Sequence, residues 1–121
     1  MIGIGVDLVE VERIRTALAR TPSLRDRLFT ANEQAYAESA KDPAERYAAR
    51  FAAKEAAMKA LGVGIGAIGW HDVEVVRADS GEPSLSVTGR AADLAAERGV
   101  GSWLLTLTHT ATLAEAVAVA R

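Results

Sequence analysis

An aspartate, a glutamate and a lysine are spaced so that they can act together. Asp7 lies near the end of an alternating opening segment. Glu55 and Lys59 lie in the alanine-rich stretch Arg50-Phe51-Ala52-Ala53-Lys54-Glu55-Ala56-Ala57-Met58-Lys59-Ala60-Leu61-Gly62. On a helix, residues four apart are neighbours, so the lysine sits one turn from the glutamate. Two carboxylates on separate elements suit Mg²⁺, a hard ion usually held by one or two carboxylates while waters and substrate phosphate oxygens complete the octahedron. Lys59 would then bring a cation to the same phosphates. Acid, acid, metal and ammonium make a set for phosphoryl chemistry, where catalysis is mostly positioning and neutralisation of charge. On an arbitrary helix the same Glu-to-Lys pair is an exposed ion pair contributing a few tenths of a kcal/mol. Here Phe51, Met58, Ala48 and Ala52 surround it, which argues for a buried or cleft-facing side.

The element that carries the pair reads as a helix from about 43 to 61, roughly 28 Å long at 1.5 Å per residue. Asp42 is the expected N-cap, Pro43 the first helical residue, Glu45 the partner in a capping box and Gly62 the left-handed C-terminal residue. Winding the residues at about 100° per position puts Arg46, Arg50 and Lys54 in one stripe, nearly opposite Glu55 and Lys59. Ala49, Ala53, Ala56 and Ala60 form a third strip of small residues suited to close packing.

Asp7 needs a strand. Met1 to Val9 alternates, with Ile2, Ile4, Val6 and Leu8 on one side and Gly3, Gly5, Asp7 and Val9 on the other, so one face is packed. Two glycines leave the Asp7 face bare, so something else can come close to the backbone there. A helix follows from about Glu10 to Arg20, with Val11, Ile14 and Leu18 as its core stripe; Pro22 restarts the chain. Leu24, Leu28, Phe29 and Tyr36 indicate one or two short helices, with Thr30 as a cap before Glu33.

The run Gly64-Ile65-Gly66-Ala67-Ile68-Gly69 matches G-x-G-x-x-G, but it leaves a helix, whereas a dinucleotide fingerprint follows a strand and opens one. His71 to Arg77 reads as a strand, Asp79 to Pro83 as a turn, and Leu85 to Val87 as the start of the return strand of a hairpin. Gly89 to Arg98 is a short helix closed by Gly99. From Ser102 the alternation resumes and puts Trp103, Leu105, Leu107 and His109 on one face. The tail from Leu113 to Ala120 is assigned to a strand paired with 102 to 109, because Val117 and Val119 fit one although its alanines favour helix. The fold class is α+β: one domain over 1–121, a small and mainly antiparallel sheet packed on one long central helix and shorter helices.

The 121 residues suffice for one core with little surplus, so an oligomer that shares buried surface is compatible with the length. There is no cysteine, which excludes disulfides and thiolate metal sites. With no basic-plus-apolar leader and no apolar run near the ~20 residues that span a bilayer, the expected location is cytoplasmic. A net charge of −2 argues against general nucleic-acid binding. Arg13, Arg15, Arg20, Arg25 and Arg27 nonetheless face only Asp26 in their own stretch, a local excess suited to an acidic protein partner. No Walker A sequence, Gly-x-Ser-x-Gly or histidine cluster is present, His71 and His109 being the only histidines.

Gly3-Ile4-Gly5-Val6-Asp7 followed by Val11 to Ile14, the stretch from Arg50 to Gly62, Gly81-x-Pro83 and Thr108-His109 together resemble the short bacterial type of 4'-phosphopantetheinyl transferase, the holo-acyl-carrier-protein synthases. The resemblance implies transfer of the phosphopantetheine arm of coenzyme A to a serine of apo acyl carrier protein, with release of adenosine 3',5'-bisphosphate. It makes Asp7 and Glu55 the Mg²⁺ ligands on the pyrophosphate, and with Lys59 the catalytic set. The acceptor of the serine proton stays open between Glu55 and a metal-bound water. Lys59, Arg50, Lys54 and His109 are implied contacts to coenzyme A phosphates, with Gly81 and Pro83 near the nucleotide or pantetheine. Arg13 and Arg20 are implied contacts to the acidic carrier protein, and the resemblance also implies a homotrimer with sites between subunits. The competing readings are a coenzyme A or nucleotide-binding module without turnover, and a structural trimeric domain in which Glu55 and Lys59 form a buried ion pair.

Overall fold

A computed structural model describes all residues 1–121. The central helix is α4, Pro43–Ala60, and the other elements are arranged around it. Strand β1 (Gly3–Glu10) leads into α1 (Val11–Arg20), then α2 (Leu24–Leu28) and α3 (Ala31–Glu38). After α4 come a 3₁₀ turn at Trp70–Asp72, the hairpin β2 (Val73–Arg77) and β3 (Pro83–Val87), then α5 (Gly89–Glu97), β4 (Trp103–His109) and β5 (Leu113–Ala120). The strands make two antiparallel sheets, one ordered β1-β5-β4 and the other β2-β3. The class is α+β, and the C-terminal segment is a strand between β1 and β4. No helix is long and apolar enough to cross a membrane.

The larger sheet packs on α4 through small residues. On β5, which packs on α4, Ala114, Ala116, Ala118 and Ala120 are buried, as are Ala52, Ala53, Ala56, Ala57 and Ala60 of the helix. On β1, the packed side is the glycine side. A Cβ added to Gly3 would lie 1.9 Å from the Ala60 carbonyl oxygen, and one on Gly5 equally close to that of Ala56. Strand and helix backbones are therefore in direct contact. The apolar side chains of β1 face outward, with Ile4 58%, Val6 51% and Leu8 61% exposed. Across the sheet Ile4 pairs with Val119, which pairs with Leu104, and Val6 pairs with Val117, so the outer face is an aliphatic surface.

The local signals hold in part. Gly62 adopts the left-handed conformation, φ 73°, and Thr30 forms a capping box with Glu33. No capping box forms on α4, because the Asp42 carboxylate accepts two hydrogen bonds from the Arg15 guanidinium, at 2.6 and 3.0 Å, and none from the helix backbone. That bond ties α1 to the start of α4. The expected strand at His71 starts two residues later, since the Asp72 carboxylate accepts from the Gly69 N–H and winds His71 into the 3₁₀ turn.

Gly5→Ala should destabilise the fold by about 3 kcal/mol, the upper range for forcing atoms into a packed core. The check is the urea midpoint at constant slope; a midpoint equal to the parent's would mean that strand and helix have room between them.

Candidate functional site

β1 and α4 meet at a corner formed by Asp7, Glu55 and Lys59. The close contact at Gly5 sets the strand against the last turns of the helix, and Lys59 reaches across. Its Nζ donates to the Val6 carbonyl at 2.9 Å and to Asp7 Oδ1 at 3.0 Å. Glu55, half-buried, has its carboxyl pushed up from the ordinary value, chiefly by burial and then by the Asp7 charge, while Lys59 works against the rise. One half-exposed ammonium is thus bonded to one carboxylate and lies near enough to the other to act on its charge. Such a set suits a divalent cation, and no cluster of three or more acidic, histidine or cysteine groups exists to supply further ligands. An ion here would take the rest of its shell from water and substrate oxygens, the habit of Mg²⁺.

Arg50, Gly81, Pro83 and His109 meet elsewhere, on the flank of α4 nearly opposite the corner. They line one cleft of about 570 Å³ with Lys41, Arg46 and Arg77. Its wall is an aromatic hub, because the Tyr36 ring lies against three guanidinium groups: Arg46 at 3.9 Å, Arg50 at 4.2 Å and Arg77 at 4.6 Å from its centroid. Such contacts attract each cation to the ring face, but the cations repel one another. Arg50 is buried, its Nε has no hydrogen-bond partner, and burial pushes its pKa down to about 10 with Arg46 adding to the fall and Glu33 opposing it. Gly81 adopts φ 90° at the hairpin turn, and its carbonyl accepts from Arg77 Nε at 3.2 Å. His109 Nδ1 stands 3.7 Å from Glu45. An orphaned buried guanidinium donor in a cleft rich in arginine is fitted to an anion.

Lys54 departs from the expectation. Implied by the resemblance to contact coenzyme A phosphates, it is fully buried and has no donor left for them. Its ammonium pairs with Glu33 Oε1 at 2.8 Å and donates to the Trp70 and Val73 carbonyls at 2.9 and 2.6 Å, which accounts for all three N–H bonds. Burial draws its pKa down and Glu33 counteracts that. Removing either partner alone would strand a buried charge, at a cost of about 3–5 kcal/mol.

Arg13 and Arg20 are exposed on α1, bordering a shallow groove with Glu10, Glu12 and Thr16. Arg15 and Arg25 of the same basic segment are engaged within the chain, with Asp42 and Glu12 and with Glu38 respectively. Sequence reasoning missed Tyr36 and Arg77 as parts of the cleft. Arg46 was visible one turn before Arg50, but nothing local marks a tyrosine on another helix as their common support.

The model of the 4'-phosphopantetheinyl transferase superfamily matches residues 3–116. Among curated relatives, a holo-[acyl-carrier-protein] synthase of Frankia casuarinae is 49% identical over 120 residues, covering 99% of this chain and 97% of the relative. A protein of the same name from Streptomyces avermitilis is also 49% identical with the same coverage. Among solved structures, the holo-[acyl-carrier-protein] synthase of Neisseria meningitidis superposes with a TM-score of 0.90 at 28% identity, over 100% of this chain and 98% of that one. The Helicobacter pylori synthase, in complex with coenzyme A, superposes at 0.86 with 27% identity, over 98% and 99%. With its α+β fold, its carboxylate and lysine corner and its likeness to these enzymes over nearly the whole length, the chain belongs to the 4'-phosphopantetheinyl transferase superfamily, among the holo-[acyl-carrier-protein] synthases.

Proposed function

We propose that this chain transfers the 4'-phosphopantetheine group of coenzyme A to a serine of apo acyl carrier protein, with Mg²⁺, and releases adenosine 3',5'-bisphosphate. The observation that carries the reading is the corner in which Lys59 is bonded to Asp7, with Glu55 held beside them as a half-buried carboxylate. The coenzyme A complex of the Helicobacter pylori relative supports the choice of donor.

The serine Oγ bonds to the β-phosphorus while the bond from that phosphorus to the bridging oxygen breaks. The bridging oxygen keeps the electron pair and leaves on adenosine 3',5'-bisphosphate, and the hydroxyl proton is released. Asp7 and Glu55 hold the metal, and Mg²⁺ when bound supplies neutralising charge at the pyrophosphate. Lys59, anchored on Asp7 and the Val6 carbonyl, keeps an ammonium beside the phosphates as charge moves to the leaving oxygen. The released proton passes to Glu55 or to water at the site.

Arg50 and His109, with Gly81 and Pro83 at the turn, grip the phosphates and nucleotide of coenzyme A. They lie across α4 from the corner, and a helix with its side chains is about 10 Å thick. One substrate therefore reaches both sets most directly when they come from different copies. The exposed aliphatic face of the larger sheet supports a homotrimer with sites between subunits, since a patch of that kind on a small chain marks an interface. Arg13 and Arg20 face the acidic carrier protein.

Incubation of apo carrier protein with coenzyme A and Mg²⁺ should give a mass gain of one phosphopantetheine, and a binding module without turnover would give none. Asp7→Asn and Glu55→Gln should each lower the rate by several orders of magnitude. The raised pKa of Glu55 means the folded state binds its proton more tightly, so this group's contribution to stability is present below the ordinary glutamate pKa and lost as pH rises through the folded value. Glu55→Gln should accordingly raise the melting temperature of the metal-free protein at pH 7; a lower one would assign Glu55 to the fold instead.

Co-expression of Asp7→Asn chains with Arg50→Glu chains should restore about a quarter of the parental activity, the share of intact sites under random assembly around a symmetric ring. No recovery would put both halves of the site in one chain. Arg13→Glu should raise the KM for the carrier protein more than it lowers kcat, and blunt the sensitivity to salt. An unchanged KM would remove α1 from the interface.

A further inference from the structure

The buried pair formed by Glu33 and Lys54 spends both of its charges on fixed partners. Glu33 Oε1 accepts from the Thr30 N–H at 2.9 Å as well as from Lys54, and Oε2 accepts from the Val75 N–H at 2.9 Å. With the two carbonyls that Lys54 holds, the pair joins α3, α4, the 3₁₀ turn and β2. A matched pair of apolar side chains would serve stability at least as well at such a site. Directional bonds to four separate segments are what the ions add.

Three residues of this network, Glu33, Lys54 and Val75, lie one structural repeat from residues of the arginine cleft. Tyr36 is three residues after Glu33 on α3, Arg50 four residues before Lys54 on α4, and Arg77 two residues after Val75 on β2. Three and four residues on a helix, and two on a strand, return to the same face. The pair thus fixes the register at which the tyrosine ring and two of its three guanidinium groups converge. Arg46, the third, is tied to the same helix, donating to the Tyr36 carbonyl at 2.6 Å. Like charges held this close scatter unless their supports are rigid.

We infer that Glu33 and Lys54 are positioning residues that, through Tyr36, hold Arg46, Arg50 and Arg77 together as a grip for the phosphomonoester end of the donor. This rests on the transferase reading above, and the pair sets how well coenzyme A is chosen over a donor lacking its 3'-phosphate.

The test compares coenzyme A with dephospho-coenzyme A in the parent and in the double variant E33Q/K54M, which removes both charges together. In the double variant the KM for coenzyme A should rise about tenfold while that for dephospho-coenzyme A moves less than about twofold and kcat less than about threefold. A purely structural role shifts both donors alike, and that result, or no shift in either, overturns the inference. Should the double variant fail to fold, Tyr36→Leu leaves the buried pair untouched and should produce the same selective loss; a Tyr36→Leu enzyme with the parent's preference between donors overturns it equally. A parent that transfers nothing from coenzyme A would sink the transferase reading itself, whereas transfer by the parent with an unaltered ratio in the variants sinks only the positioning role.

Discussion

The contact between the β1 and α4 backbones is the constraint on which the rest depends. Gly3 and Gly5 leave no room for even one methyl group before the helix carbonyls, and the alanines of β5 continue the same thin layer. Larger residues in that layer would move the sheet outward by ångströms. Asp7 would then leave the reach of Lys59, whose hydrogen bonds to it and to Val6 depend on the strand lying this close. A wall of the smallest side chains thus brings an acid of one element and an acid and a base of another to a single corner. Close packing of small groups gives little apolar burial per residue, so the larger side chains of the core, Tyr47, Phe29, Met58 and Val11, are gathered on other sides of α4.

Four cations on α4 meet three fates, set by rotation around the cylinder. Lys59 leans over the last turn to Asp7, Lys54 points into the interior at Glu33, and Arg46 and Arg50 stack on Tyr36. Lysine suits the first two because a compact ammonium with three divergent donors can serve several oxygens. Arginine suits the ring, where a flat delocalised cation can stack. The cleft and the corner are therefore chemically separate despite sharing a helix.

Much of this was legible in the sequence. Alternation and turn residues located the strands, though not their division into two sheets, the spacing of Glu55 and Lys59 predicted their shared face, and the bare glycine side of β1 announced a close neighbour. Lys54 was not legible, because its stripe with Arg46 and Arg50 is a property of one helix whereas its partner Glu33 belongs to another, twenty-one positions away and disguised as an ordinary cap residue. The capping box expected at Glu45 failed for the same reason: Arg15, distant in sequence, competes for Asp42. Periodicity reports which side of an element a residue occupies. It carries no information on which other element supplies the counter-charge.

A strand fixed by sterics on one side and open on the other has a lopsided tolerance for mutational drift. Gly3 and Gly5 are frozen by volume alone, whatever chemistry the corner performs, while Ile4, Val6 and Leu8 between them answer only to whatever covers the outer face. Substitutions at every second residue of β1 can thus reshape that outer face without disturbing the acid between them.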